Sequence, residues 1–218
     1  MLLVITGASF TGKRTLATKI VEKLPDVVLL DIDTTCVTER TGYRQVDGDV
    51  FSENADDYIM FPSDDGNKYG ISKKHLDIEC QDATKVVVIV CRYNDALILS
   101  RYAPRLNISS VCAYLHCRQS ELLQRLCDSN APASQCYMQV QSIYRNHNLD
   151  YLKLENLSIN SNGFTSVLRI NSGASPIEFY TSMIIDPLMA IIESFSVYKN
   201  MRKLCNVQHT LGVTNYAN

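Results

Sequence analysis

The chain has 218 residues, enough for one domain of ordinary size with a small appendage, and its 46% apolar and 20% charged composition excludes a disordered protein. A net charge of −2 argues against a duplex-DNA or polybasic membrane binder, and no run of 18 uncharged apolar residues exists to cross a bilayer. Eight cysteines without a C-x-x-C pair, and four scattered histidines, argue against a zinc site or a disulfide framework and for reduced thiols in a cytoplasmic setting.

In chain order, residues 1–5 read as a short buried strand, too short for a signal-peptide core. A Gly-rich turn follows, then a helix over 14–23 with Leu16, Ile20 and Val21 on one face, stopped by Pro25-Asp26. The apolar run 27–32 predicts a second buried parallel strand. Residues 34–70 are rich in Asp, Thr and Gly and predict loops with short strands around the turn pair Asp47-Gly48. A short helix is expected over 72–77, a strand over 85–91 (KVVVIVC), a helix over 94–102 and a strand over 110–116. Ser120 is expected to cap the next helix, with Leu122, Leu123 and Leu126 on its inner face. Residues 134–145 predict a helix, 146–163 a loop or insertion, 167–170 a last strand and 176–195 an amphipathic helix kinked at Pro187, before a polar tail over 203–218. Strands alternating with helices predict an α/β fold with a mostly parallel sheet.

Chemistry concentrates in one motif, Gly7-Ala8-Ser9-Phe10-Thr11-Gly12-Lys13-Arg14-Thr15, which fits G-x-x-x-x-G-K followed one position late by a hydroxyl residue. It sits where the pattern requires, after an apolar strand and at the start of a helix. The glycines allow a tight turn whose amide N–H groups point at phosphate oxygens. Lys13 supplies a mobile positive charge to the β- and γ-phosphates, and Thr15 offers a hydroxyl to phosphate or Mg²⁺ at a helix N-terminus. Ser9, Thr11, Gly12 and Arg14 complete the loop.

With these residues in place, the chain resembles the guanylate kinase family. The stretch from Gly7 to Pro25 aligns without a gap on the family's GPSGxGKST start. Thr38-Glu39-Arg40 falls on TTRxPR, Val46-Asp47-Gly48 on VDGxDY, and Gly66-Asn67-Lys68-Tyr69-Gly70 on GNYYG. Arg125-Leu126 falls on the family's Arg-Leu pair, and residues 167–171 on the strand that ends in Val-Asn. The resemblance covers about 170 residues in unbroken order. It implies a single domain with a P-loop NTPase-type parallel sheet flanked by helices, a small nucleotide-acceptor lobe over 34–76 and a short lid over 127–145. It also implies ATP and Mg²⁺ as cofactors and a nucleoside monophosphate, GMP or dGMP, as acceptor. Lys13, Arg40 and Arg125 would be catalytic. Gly7, Ser9, Thr11, Gly12, Lys13, Arg14, Thr15 and Asn171 would bind the donor, Asn171 by touching adenine, with Thr15 toward the metal. Asp33, Arg40, Arg44, Phe51, Tyr69 and Ser72 would form the acceptor site.

Departures from the family concentrate in that acceptor site. Val37 stands at the first phosphate-clamping arginine, for which Arg44, on a two-residue insertion, is a candidate substitute. Phe51 replaces a tyrosine, Met60 the glutamate that reads guanine, and Ile71 a Ser or Thr of the same pocket. The family's D-x-D falls on Ile89 and Cys91, and Ser129 and Val140 take lid positions that usually carry arginines, leaving Arg118, Arg125 and Arg145 as replacements. Asp31 and Asp33 either help organise Mg²⁺ or are solvated strand-end carboxylates. Three readings follow: an ATP-dependent nucleoside monophosphate kinase, a guanylate-kinase-like module that takes a protein partner in its acceptor cleft, and a P-loop kinase of another small substrate. None of them needs a nucleic acid polymer or a membrane.

Overall fold

The computed structural model describes residues 1–24, 26–37, 42–82, 85–128, 140–141, 150, 152–156, 163–173, 186 and 190. Two compact units divide the chain, Met1–Thr181 and Ser182–Asn218, and the sheets and helices named below all lie in the first. The expected lid over 127–145 is described only at 127–128 and 140–141. Of the expected helices over 134–145 and 176–195, only 140–141, 186 and 190 fall among the described residues, and the polar tail lies outside them. No helix among the described residues is long and apolar enough to cross a membrane.

The main sheet is parallel throughout. Its strands are β1 (Leu2–Gly7), β2 (Val27–Leu29), β7 (Val86–Val90), β8 (Ser110–His116) and β9 (Ser166–Asn171), in the order β2-β7-β1-β8-β9. Every residue of β1 and β7 is buried, which explains why both read as continuous apolar runs: helices and the second lobe cover both faces. β1 is central, with β7 on one side and β8 on the other. The chain leaves β1 through α1 (Lys13–Lys23) for the edge strand β2, so the connections diverge at the C-terminal end of β1. Ligands of open α/β sheets bind at such a switch point.

The expected strand over 27–32 divides between two sheets. The Leu30 N–H still donates to Val88 O on the main sheet (2.8 Å), whereas the Ile32 N–H donates to Gly42 O (3.0 Å) in the lobe. Exposed Asp31 marks the switch, and β3 (Ile32–Thr34) opens a second sheet. That sheet runs β4-β3-β6-β5, with β4 (Tyr43–Gln45) parallel to β3, and β5 (Tyr58–Phe61) and β6 (Tyr69–Ser72) antiparallel to their neighbours. Where a turn at Asp47-Gly48 is expected, the short helix α2 (Gly48–Glu53) starts at Gly48, with extended Asp47 as its N-cap residue. Ile59, Phe61 and Ile71 of the lobe join Leu2, Val4, Ile89 and Leu99 in one buried cluster, so lobe and sheet share a core.

Three helices start on side-chain caps. The hydroxyl of Ser72 accepts the His75 N–H (3.3 Å) at α3 (Lys73–Gln81), which runs four residues past the expected end at 77. The Asp95 carboxylate accepts the Arg92 N–H (3.2 Å) at α4 (Tyr93–Tyr102). Glu121 does the same for the Arg118 N–H (3.0 Å) at α5 (Gln119–Cys127). The α5 cap is therefore Arg118 rather than Ser120: Glu121 lies three residues after Arg118, the reach of a capping carboxylate. Val140, expected on the lid, is buried with Cys117, Leu122 and Leu126, which accounts for an apolar residue there.

Candidate active site

The loop that carries the Gly7–Thr15 motif occupies the switch point. Gly7 closes β1 at φ +133°, and a Cβ there would collide with the Leu115 carbonyl of β8, so no other residue fits. Gly12 precedes α1 at φ +84°, the left-handed turn that aims the first amides of the helix into the loop. Phe10 also has a positive φ, +63°, unusual for an aromatic residue, and its side chain is 45% exposed. Two tethers hold the loop: the Thr11 hydroxyl donates to Ala8 O (2.8 Å), and Arg125 donates from Nη1 to Phe10 O (3.0 Å) and from Nη2 to Ser172 O (2.7 Å). Arg125 thus links the loop to the segment that follows β9. Asn171 ends β9, with its Oδ1 accepting the Gly173 N–H (3.1 Å).

Lys13 Nζ donates to the carbonyls of Gly7 (3.0 Å) and Ala8 (2.6 Å). Burial lowers its pKa to about 8, and the neighbouring Arg14 charge pushes the same way. Two carbonyls therefore hold the ammonium in the loop, where phosphate oxygens are better partners. Ser9 and Thr15 are exposed residues of the loop and the first turn of α1. At the family's D-x-D, Ile89 and Cys91 are buried, and desolvation pushes the Cys91 thiol well above its usual pKa. The buried Asp95 carboxylate is engaged, taking Arg92 Nε and Nη2 at 3.0 and 3.2 Å.

The lobe gathers its predicted residues differently. Asp33 is 1% exposed, which excludes a solvated carboxylate. It sits opposite Arg44 in the β3–β4 register and accepts both prongs of that guanidinium, Nε at 2.7 Å and Nη2 at 2.9 Å, plus the Tyr58 hydroxyl at 2.9 Å. The bond to Asp33 raises the Arg44 pKa. Both residues are spent on each other. Phe51 is buried against Tyr58, ring centroids 4.9 Å apart, and acts as lobe core. Ser72 is spent on its cap. Tyr69 donates its hydroxyl to Asp65 Oδ2 (2.7 Å), and burial together with that bond raises its pKa to about 12. Met60 is 37% exposed and pairs with Gly70 across the β5–β6 register. Arg40 lies outside the described residues.

Two residues were missed in the sequence. Tyr43 of β4 lies under Arg14, whose Cζ is 5.2 Å from the ring centroid, and stands edge-on to Tyr69 at 6.2 Å. Arg92, at the end of β7, has its Cζ 5.3 Å from the Tyr69 centroid and donates to Pro62 O (2.6 Å). Its place after the clearest strand of the chain, where α/β ligands bind, was the available signal.

No protein-family model matches the chain, and no curated protein matches it in sequence. Among solved structures it is similar to guanylate kinase from Anaplasma phagocytophilum, with a TM-score of 0.54 and 17% identity, over 87% of this chain and 85% of that one. With a glycine loop after the central strand, a parallel sheet and an inserted four-stranded lobe, the fold of this chain is guanylate-kinase-like.

Proposed function

We propose that the protein transfers the γ-phosphoryl group of ATP to a nucleoside monophosphate, giving ADP and a nucleoside diphosphate. The observation that carries this reading is Lys13, whose partly buried ammonium is held by two loop carbonyls at the sheet's switch point. An acceptor phosphate oxygen attacks the γ-phosphorus in line, and the bond to the β-phosphate oxygen breaks. No general base is required, because a phosphate oxygen is already nucleophilic and the protein's work is positioning and charge neutralisation. Lys13 and the loop amides hold the donor; Arg125 and Asn171 lie at its flank.

Mg²⁺ at phosphoryl-transfer sites keeps most of its waters and needs only one or two protein ligands beside the phosphates. The exposed Thr15 hydroxyl on the first turn of α1 fits that modest requirement. When bound, the ion would neutralise charge on the transferring group.

GMP and dGMP are the acceptors that the resemblance implies. Met60, Ile71 and Cys91 offer no carboxylate to a guanine edge, so base preference is expected to be broad. The same residues, with Val37 83% exposed, favour a second reading in which the cleft takes a protein partner without catalysis.

The test is ADP release from ATP·Mg²⁺ against each common ribo- and deoxynucleoside monophosphate, with Lys13→Ala as control. Turnover of at least one acceptor, lost in Lys13→Ala, is expected. Absence of turnover with every acceptor would overturn the enzyme reading and leave the binding module.

A further inference from the structure

Phe10 combines two locally unfavourable features. Its φ is +63°, which costs an aromatic residue and is free to glycine, and its ring is 45% exposed to water. The GPSGxGKST start of the resemblance has glycine at this position, so the turn itself requires no side chain here. The backbone that carries the ring is held on both sides. The Phe10 carbonyl accepts Arg125 Nη1 (3.0 Å), and Arg125 Nη2 donates to Ser172 O (2.7 Å), one residue past the end of β9. The Thr11 hydroxyl donates to Ala8 O (2.8 Å), closing the turn across Ser9 and Phe10. An exposed aromatic ring is thus fixed on the loop that carries Lys13, at the flank where α5 and the end of β9 are tied to it. Amides and an ammonium take an anion whatever the anion carries. A flat apolar surface on the same loop favours a nucleoside attached to that anion, because every base has a π-face. Reading the edge of a base needs free polar groups instead. Asn171, which the resemblance sets against adenine, has its Oδ1 on the Gly173 N–H (3.1 Å).

We infer that the Phe10 ring stacks on the base of the nucleoside triphosphate donor, so that the donor is held by its phosphates and by the face of its base rather than the edge. ATP and GTP are then both taken. This rests on the reading of the glycine loop as the donor site, but not on phosphoryl transfer.

The test is calorimetric titration of ATP·Mg²⁺, GTP·Mg²⁺, tripolyphosphate·Mg²⁺ and GMP into wild type, Phe10→Gly and Phe10→Leu. Phe10→Gly keeps the turn and is expected to weaken ATP and GTP by about tenfold each, while the tripolyphosphate Kd moves less than about twofold. Phe10→Leu keeps an apolar side chain without the π-face and should lose most of the same affinity. The chain has no tryptophan, so Phe10→Trp places a single indole on the loop. Its fluorescence should be quenched by ATP·Mg²⁺ and not by tripolyphosphate·Mg²⁺. Equal loss of triphosphate and tripolyphosphate affinity in Phe10→Gly would overturn the inference and make Phe10 a residue that only shapes the loop. Loss confined to GMP would overturn it by giving the ring to the acceptor. Triphosphate binding indifferent to Phe10 would overturn it and leave the donor reading standing. Failure of the wild type to bind ATP, GTP or tripolyphosphate would remove both.

Discussion

In the glycine loop, the groups that the proposed reading offers to a ligand are backbone amides shaped by Gly7 and Gly12, with one lysine added. In the lobe they are side chains, and most are turned to one another: Asp33 to Arg44 and Tyr58, Tyr69 to Asp65, Ser72 to its helix. Backbone geometry survives any substitution that keeps the glycines. A side-chain pocket changes with each replacement, as Met60, Ile71 and Cys91 illustrate. At 17% identity to the guanylate kinase it resembles in fold, the chain has the glycine-shaped loop after its central strand, while the polar groups of its lobe pair with one another.

The largest effect should come from breaking the donor half. Lys13→Ala is expected to lower turnover by at least about 10²-fold, since it removes a preorganised charge from the transferring group. Melting curves of the same variant should show an intact fold, because burying that ammonium without a counter-ion does not stabilise the protein.

Breaking the acceptor half should register first as stability. Asp33→Ala leaves the Arg44 guanidinium and the Tyr58 hydroxyl without their shared acceptor. The Asp33 side chain is buried, but Arg44 is half exposed, so the loss should be about 2 kcal/mol, below that of a fully buried pair. Thermal unfolding should fall by roughly 5 °C. Met60→Glu places a carboxylate where the resemblance expects one and should raise the preference for GMP over AMP by about tenfold in competition assays.

On the proposed reading, Lys13 should make donor binding pH-dependent. Its ammonium is lost near pH 8 in the free protein, and a bound phosphate favours the charged form. ATP affinity should be flat below about pH 7 and fall severalfold by about pH 9, with proton uptake on binding near pH 8.5. Stability of the ligand-free protein carries the opposite sign. The unfolded lysine keeps its proton up to 10.5, so between about 8 and 10.5 the unfolded state binds more protons and this group's contribution to stability rises with pH. The smallest effect is at Phe10, where replacement by Gly relieves the positive φ and should shift unfolding by about 1 kcal/mol or less.

The main sheet was legible because its signal is local. The KVVVIVC run and the apolar start of the chain are buried on both faces, and the loop motif is contiguous. What escaped depends on pairing. The apolar run 27–32 looks the same whether one sheet or two claims it, and only the hydrogen bonds of Leu30 and Ile32 separate β2 from β3. Asp33 reads as a cleft carboxylate until Arg44, eleven residues on, lands opposite it in register. The Arg14–Tyr43–Tyr69–Arg92 ladder joins four distant segments, and none of the four residues has an unusual neighbour in sequence. Ser120 looked like a cap because hydroxyls usually are, but Glu121 reaching back to Arg118 set the start of the helix.

The proposed contrast between a donor-binding loop and a lobe whose polar groups pair with one another is tested most directly by calorimetric titration of ATP·Mg²⁺ and of GMP into wild type and Lys13→Ala. ATP binding to wild type that Lys13→Ala abolishes, beside GMP binding weaker than that of ATP and unaffected by Lys13→Ala, is the predicted result. Absence of ATP binding to the wild type would contradict the account, because the loop would then be only a turn between β1 and α1.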